Sequence, residues 1–174
     1  MQVARQLLIE YREGFFKNRY DGRTFIMPGH QKRKKSVRQK LNAMSAEFKN
    51  KNILIVDDSI VRGTTSKEIV QMAKDSGANK VFFTSAAPPV RFPHVYGINM
   101  PNRDELIAHD RTIPEIADHL EIDSLVYQSV ESLRKSIISD SPIQDLEMSC
   151  FTGSYVTGTV NQEYLNWVEN EYKS

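Results

Sequence analysis

The chain has 174 residues, 40% of them apolar, 26% charged and a single cysteine. That is enough apolar material for one domain or a piece of a larger one, and Cys150 alone excludes an internal disulfide and a metal site built from local thiolates. No apolar run approaches the roughly 18 residues of a membrane span, and the opening MQVARQLLIEYREG has no signal-peptide core, so the cytoplasm is the expected compartment. The formal charge of +1 conceals an asymmetry. Residues 1–51 carry thirteen Lys/Arg against four Asp/Glu, and residues 52–174 carry ten against eighteen. The basic part should meet an anion, the acidic part, or both.

In chain order, Val3–Leu8 reads as the end of an amphipathic helix with no N-cap residue before it. Thr24–Met27 is short, β-branched and aromatic, and Pro28-Gly29 stops it; a strand is expected. QKRKKSVRQK, residues 31–40, carries six basic residues and one apolar residue, so a mobile loop is expected there. Ile53–Val56 is a continuous aliphatic run with the look of a strand buried on both faces of a parallel sheet. A helix follows, capped by Thr64 and running to about Ser76. Its inner side carries Ile69, Val70, Met72 and Ala73, and Gly77 is its stop. Val81–Ala86 is the next strand, and the whole unit fits a right-handed crossover. Pro88-Pro89 and Pro93 make the next connection extended. Helices are expected near Asp104–His109 and Ile113–Leu120. Ser124–Tyr127 reads as a short strand, Ser129 to about Ile138 as a helix, Phe151–Ser154 as turns, and Gln162–Tyr172 as the last helix. Alternating strands and helices imply an α/β fold with a mainly parallel sheet flanked by helices.

Chemistry concentrates in ILIVDDSIVRGTTS, Ile53–Ser66. Ligands of open parallel sheets bind beyond the carboxyl ends of the strands, where this loop would sit. Asp57 and Asp58 follow the strand directly. Gly63 allows backbone geometry that a side chain would obstruct. Thr64, Thr65 and Ser66 bring hydroxyls and backbone N–H groups to a helix N-terminus, which suits an anion. Paired carboxylates beside such a cradle fit a sugar phosphate, or Mg²⁺. Taken singly, each feature has a bland reading: Thr and Ser at a helix start are ordinary caps, and two Asp after a strand are ordinary turn residues. The loop is neither a Walker motif, which needs a Lys, nor a dinucleotide G-x-G-x-x-G.

VDDSIVRGTTS closely resembles the phosphoribosyl pyrophosphate (PRPP) loop of type I phosphoribosyltransferases. KNRYDGRTFIMPG (Lys17–Gly29), VRQKLNA (Val37–Ala43), SAAPPVRFPHVYGINMP (Ser85–Pro101), ELIAH (Glu105–His109) and CFTGSYVT (Cys150–Thr157) resemble the glutamine PRPP amidotransferases. That family makes 5-phosphoribosylamine and pyrophosphate, the first committed step of de novo purine synthesis. The resemblance implies a type I phosphoribosyltransferase fold, N-terminally truncated, with residues 1–174 the C-terminal portion of that domain and no glutaminase domain. It implies that Asp57 and Asp58 hold the ribose hydroxyls and Mg²⁺. Ser59, Ile60, Val61, Arg62, Gly63, Thr64, Thr65 and Ser66 match the loop around the 5-phosphate. Lys17, Tyr20, Arg23, Ile26 and Lys40 match catalytic positions around a flexible loop, about residues 28–40, that closes over the substrate. Ammonia, derived from glutamine in the whole enzyme, would be the acceptor, purine nucleotides the inhibitors, and the full-length enzyme a homo-oligomer. Some members carry a Cys-ligated iron–sulfur cluster; here His94 and Glu147 stand where cluster cysteines would be, and no cluster is expected.

Two other function classes compete. A PRPP-binding regulator could share the fold, but it would not need a long hooded loop with Arg23 and Lys40. The Lys32–Lys35 run could bind nucleic acid, yet no aromatic residue is interleaved to stack bases, and the surrounding resemblance argues against it. His94, His109 and His119 lack metal-ligand spacing. Tyr164 and Trp167 are expected to be packing residues, and Cys150 a small buried hydrophobe.

Overall fold

A computed structural model describes residues 1–17, 41–100 and 102–173. The elements in order are α1 (Gln2–Leu7), β1 (Phe15–Lys17), β2 (Leu41–Ala43), α2 (Ser45–Phe48), β3 (Asn52–Asp57), α3 (Thr64–Asp75), β4 (Lys80–Ser85), a 3₁₀ turn (Arg103–Glu105), α4 (Ile113–Leu120), β5 (Ser124–Tyr127), α5 (Val130–Ile138), α6 (Ser149–Thr152) and α7 (Gln162–Lys173). Three strands, in the order β3-β4-β5, form a parallel sheet; β1 and β2 form a separate antiparallel pair. The expected α/β architecture with a parallel sheet flanked by helices is therefore present.

The β3–α3–β4 crossover forms because its strands are aliphatic and aromatic and its helix has an apolar stripe. Val70 and Ala73 of α3 reach the core, with Val81 and Phe83 of β4 beneath them. Gly77, at φ +90°, ends the crossover helix, with Ser76 as its C-cap. Ile116 and Leu120 of α4 and Leu125 of β5 complete the same cluster. Helix α4 starts in a full capping box: Thr112 accepts from Glu115 N, and Glu115 accepts from Thr112 N at 2.7 Å. Ser129 caps α5 by accepting from Ser132 N at 3.0 Å.

Six expectations need correction. Phe151 and Thr152 belong to the short helix α6, with only Gly153 and Ser154 beyond it, and Cys150 is half-buried rather than buried. The run Ile53–Val56 is not buried on both faces: Ile53 and Ile55 pack on the core, but the opposite face is open, with Val56 52% exposed and Val126, in the same row across β4, 59% exposed. Thr64 does not cap α3. Gly63 is the N-cap, at φ +74°, and Thr64 is the first helical residue. No α-helix forms over Asp104–His109. Asn102 instead caps a single 3₁₀ turn, and Leu106, Ile107 and Ala108 are all buried. Three consecutive buried residues sweep about 200° around a helix, so no helical face could bury them all. Tyr164 and Trp167 are 40% and 57% exposed and pack mainly on each other, with ring centroids 5.8 Å apart; Leu165 and Glu169 face inward. The β1–β2 pair was not anticipated. The expected strand at Thr24–Met27 and the expected loop at 28–40 lie outside the described residues.

Candidate active site

Strand β3 delivers Asp57 and Asp58 to the carboxyl edge of the sheet. The backbone there is held from β4: Ala86 N donates to Asp57 O at 3.0 Å, and Ala87 N donates to Asp58 O at 2.8 Å. Asp58 N donates to Asp57 Oδ1 at 3.0 Å, and Ser59 Oγ donates to Asp58 Oδ1 at 3.1 Å. Burial raises the Asp57 carboxyl above its ordinary range. The adjacent Asp58 charge adds to that, and the Asp58 N–H bond opposes it. The two side chains differ in setting, since Asp57 is half-buried and Asp58 is exposed.

Past the acidic pair, Ile60 is completely buried in the core, so only its backbone can face a ligand. Val61 O accepts from Ile107 N at 2.9 Å. Gly63 has its positive φ and no room for a side chain, because a Cβ there would lie 2.3 Å from Ile107 Cδ1. Helix α3 then begins, and its first intrahelical bond is Lys67 N to Gly63 O at 2.8 Å. The preceding N–H groups of the first turn have no carbonyl four residues behind them within the helix. Thr65 is exposed at this end, while Ser66 is buried. The arrangement places two carboxylates and a helix N-terminus on one loop at the end of a parallel strand, as the sequence suggests.

The other site candidates are distributed differently. Lys17 closes β1 opposite Leu41 of β2. Tyr20, Arg23, Ile26 and Lys40 lie outside the described residues. Arg62 is turned into ties with the following segment: Nε donates to Glu105 Oε2 at 2.5 Å and Nη2 to Asn99 O at 3.3 Å. Glu105, Ile107, Ala86 and Ala87 thus fix the loop; they lie in two of the segments that resemble the family, but nothing in the sequence indicated that they touch this loop. They are contacts made across the fold, the Glu105 one over 43 residues. Among the described residues no group of three or more His, Cys, Asp and Glu converges as metal ligands.

His94 and Glu147 form a pair, Nε2 to Oε2 at 3.2 Å, and His94 Nδ1 accepts from Tyr96 N at 3.3 Å. Cys150 is half-buried beside them, and burial with the Glu147 charge pushes its thiol up to about 11. His109 Nδ1 lies 3.1 Å from Arg91 O, and its Nε2 lies 3.3 Å from Asp110 Oδ2. His119 is lowered by burial and by Lys67.

The parallel sheet with its crossover has the α/β architecture of the type I phosphoribosyltransferase fold. The chain is similar over nearly its whole length to enzymes named amidophosphoribosyltransferase. It is 54% identical over 172 residues to the Haemophilus influenzae enzyme of that name, covering 98% of the chain and 34% of the enzyme. It is 54% identical to the Escherichia coli enzyme over 97% of the chain, and 52% identical to the Saccharomyces cerevisiae enzyme over its entire length, again 34% of each relative. Among solved structures it is similar to the glutamine PRPP amidotransferase from B. subtilis complexed with ADP and GMP. That match has a TM-score of 0.74 and 40% identity, over 88% of this chain and 34% of that one. No protein-family model matches. The chain thus spans about a third of the length of the curated relatives it matches. No helix among the described residues is long and apolar enough to cross a membrane.

Proposed function

We propose that the chain carries the PRPP-binding part of an amidophosphoribosyltransferase site. In that site the ribosyl phosphate passes from PRPP to ammonia, giving 5-phosphoribosylamine and pyrophosphate. The observation that carries this reading is the VDDSIVRGTTS loop, set between the carboxyl end of parallel β3 and the start of α3 in a chain 54% identical to amidophosphoribosyltransferases.

Asp57 and Asp58 accept hydrogen bonds from the ribose hydroxyls and hold Mg²⁺. The raised Asp57 carboxyl supports this: it is desolvated, adjoins a second carboxylate, and pairs with no cation among the described residues. A divalent cation or two hydroxyl donors would restore what burial removes. When bound, Mg²⁺ supplies charge stabilisation to the departing pyrophosphate. The backbone N–H groups at the Gly63–Ser66 turn bind the 5-phosphate, helped by the helix dipole and the Thr64 and Thr65 hydroxyls. Lys17, Tyr20, Arg23, Ile26 and Lys40 serve the segment that covers the substrate. Support comes from their match to the family and from the β1–β2 pairing, which sets Lys17 opposite Leu41. Their cations face pyrophosphate, and closure excludes water from the reactive ribosyl carbon. Ammonia is already a nucleophile, so no strong general base is needed. Purine nucleotides are the proposed inhibitors, in keeping with the ADP and GMP on the B. subtilis relative.

The test is PRPP binding and ammonia-dependent pyrophosphate release, with Asp57→Asn/Asp58→Asn as the diagnostic variant. Losing both negative charges, with one carboxylate oxygen at each position replaced by a donating amide, should weaken transition-state stabilisation by several kcal/mol, on the order of 3 or more. Near-normal turnover in that double variant would refute the assignment.

A further inference from the structure

The loop contains an arginine, and the default role of an arginine beside a phosphate cradle is to bind the phosphate. Arg62 is committed elsewhere. Its side chain is only 11% exposed, its Nε donates to Glu105 Oε2 at 2.5 Å, and its Nη2 donates to Asn99 O at 3.3 Å. Two residues further on, Ile107 N donates to Val61 O at 2.9 Å, and the Ile107 side chain fills the space that a Cβ on Gly63 would need. Three consecutive loop residues, 61 to 63, are thus gripped by one short turn, residues 105–107.

That turn is itself fixed from behind. Arg103 donates to Glu169 Oε1 from its backbone N at 3.1 Å and from Nε at 2.5 Å, and from Nη2 to Asn166 Oδ1 at 3.0 Å. Glu169, 9% exposed, lies on α7. Asn99, whose carbonyl holds Arg62, donates through Nδ2 to Tyr172 Oη at 3.3 Å. The last helix is therefore connected through two arginines and two glutamates to the loop that begins α3.

We infer that Glu105 and Arg62 act as positioning residues: Glu105 holds the Arg62 guanidinium and so sets where the backbone donors of residues 63–66 stand, rather than Arg62 binding the phosphate itself. This rests on the proposed phosphate role of the loop. A half-buried, charge-assisted pair fixes geometry well because both partners are costly to leave unpaired. A phosphate cradle built of backbone N–H groups needs such fixing, since its donors point correctly only if the chain does.

The experiment uses the 174-residue chain with Glu105→Gln, Arg62→Gln, Arg62→Lys and the Glu105→Gln/Arg62→Gln double variant. Two quantities are read: affinity for ribose 5-phosphate, and hydrogen exchange of the 57–66 amides without ligand, with the β4 amides as the control for folding. Each single variant should weaken affinity roughly tenfold, the effect of losing one charged hydrogen bond. Arg62→Lys should do no better than Arg62→Gln, because a point charge keeps a phosphate contact but not a two-pronged tie. The double variant should be no worse than the poorer single one. Loop amides should exchange faster in every variant while β4 stays protected. The inference is overturned if Arg62→Lys restores affinity, if Glu105→Gln leaves affinity intact while Arg62→Gln lowers it, if the effects add, or if loop exchange is unchanged. A parent chain that does not bind ribose 5-phosphate would defeat the functional reading instead; faster loop exchange in the variants would still uphold the positioning role of the pair.

Discussion

Asp57 sets a conflict between stability and binding within one side chain. Its carboxyl is raised by burial first and by the Asp58 charge second. The sign follows from linkage: the folded state holds the proton more tightly than the unfolded state, so this contribution to stability is present below the ordinary carboxylate range. It is lost as pH rises through the raised folded value. Once ionised, Asp57, which has no cation partner among the described residues, therefore weakens the unliganded fold. Asp57→Asn keeps an oxygen to accept from Asp58 N and removes the charge. The expected outcome is a higher Tm at pH 7 for the unliganded variant, with the gap closing as the pH falls to the point where wild-type Asp57 is itself protonated. Thermal unfolding across a pH series checks this, and a gap that widens in acid would contradict it. PRPP binding should fall in the same variant, the expected cost of stabilising a binding site.

The β3–α3 loop and the sheet show two different demands at the level of elements. Gly63→Ala puts a Cβ 2.3 Å from Ile107 Cδ1 at a residue with φ +74°. The positive φ and the displaced isoleucine together should cost about 1–3 kcal/mol, measured by denaturant unfolding, and PRPP affinity should fall with it. Burial divides the sheet just as sharply. Phe83 on the central strand is completely buried, and Phe83→Ala should cost about 3–5 kcal/mol. Val56 on the edge strand is 52% exposed, and Val56→Thr should change stability by no more than ~0.5 kcal/mol. The aliphatic run Ile53–Val56 correctly indicated a strand, since composition and length decide that. It could not indicate that one face of the strand would stay open, because what covers a face depends on partners elsewhere in the chain. The same distinction separates α4 from Asp104–His109. The Thr112–Glu115 capping box is local and readable, whereas the burial of Leu106, Ile107 and Ala108 comes from the loop and core they meet. Asp57, Asp58 and Gly63 could be singled out because the proposed cradle is one contiguous stretch. The tie between Arg62 and Glu105 could not, because its partners stand 43 residues apart.

Across the whole molecule, the remaining question is which nucleophile this chain can serve. Glutamine hydrolysis needs an activated thiol with oxyanion donors around it. Cys150 is the only cysteine in the sequence. It lies at the start of α6, where its carbonyl accepts from both Arg91 N and Phe92 N, at 2.9 and 3.0 Å. Its position is thus a structural joint between the segment after β4 and the segment before α7. Burial and the nearby Glu147 charge push its thiol up to about 11, the opposite of what a nucleophile requires. His94 does not serve it as a base, since that imidazole is paired with Glu147 through Nε2 and accepts from Tyr96 N through Nδ1. The acidic pair and helix start that form the proposed ribosyl site stand on a different loop, at residues 57–66. The chain should therefore release no glutamate from glutamine, and any ribosyl transfer it performs should use free ammonia. Glutamate release and ammonia-dependent pyrophosphate release, measured side by side on the 174-residue chain and on Cys150→Ala, decide the matter. The variant should leave ammonia-dependent transfer unchanged. Glutamine hydrolysis by the parent that disappears in Cys150→Ala would place a second chemistry at α6 and overturn this division of labour.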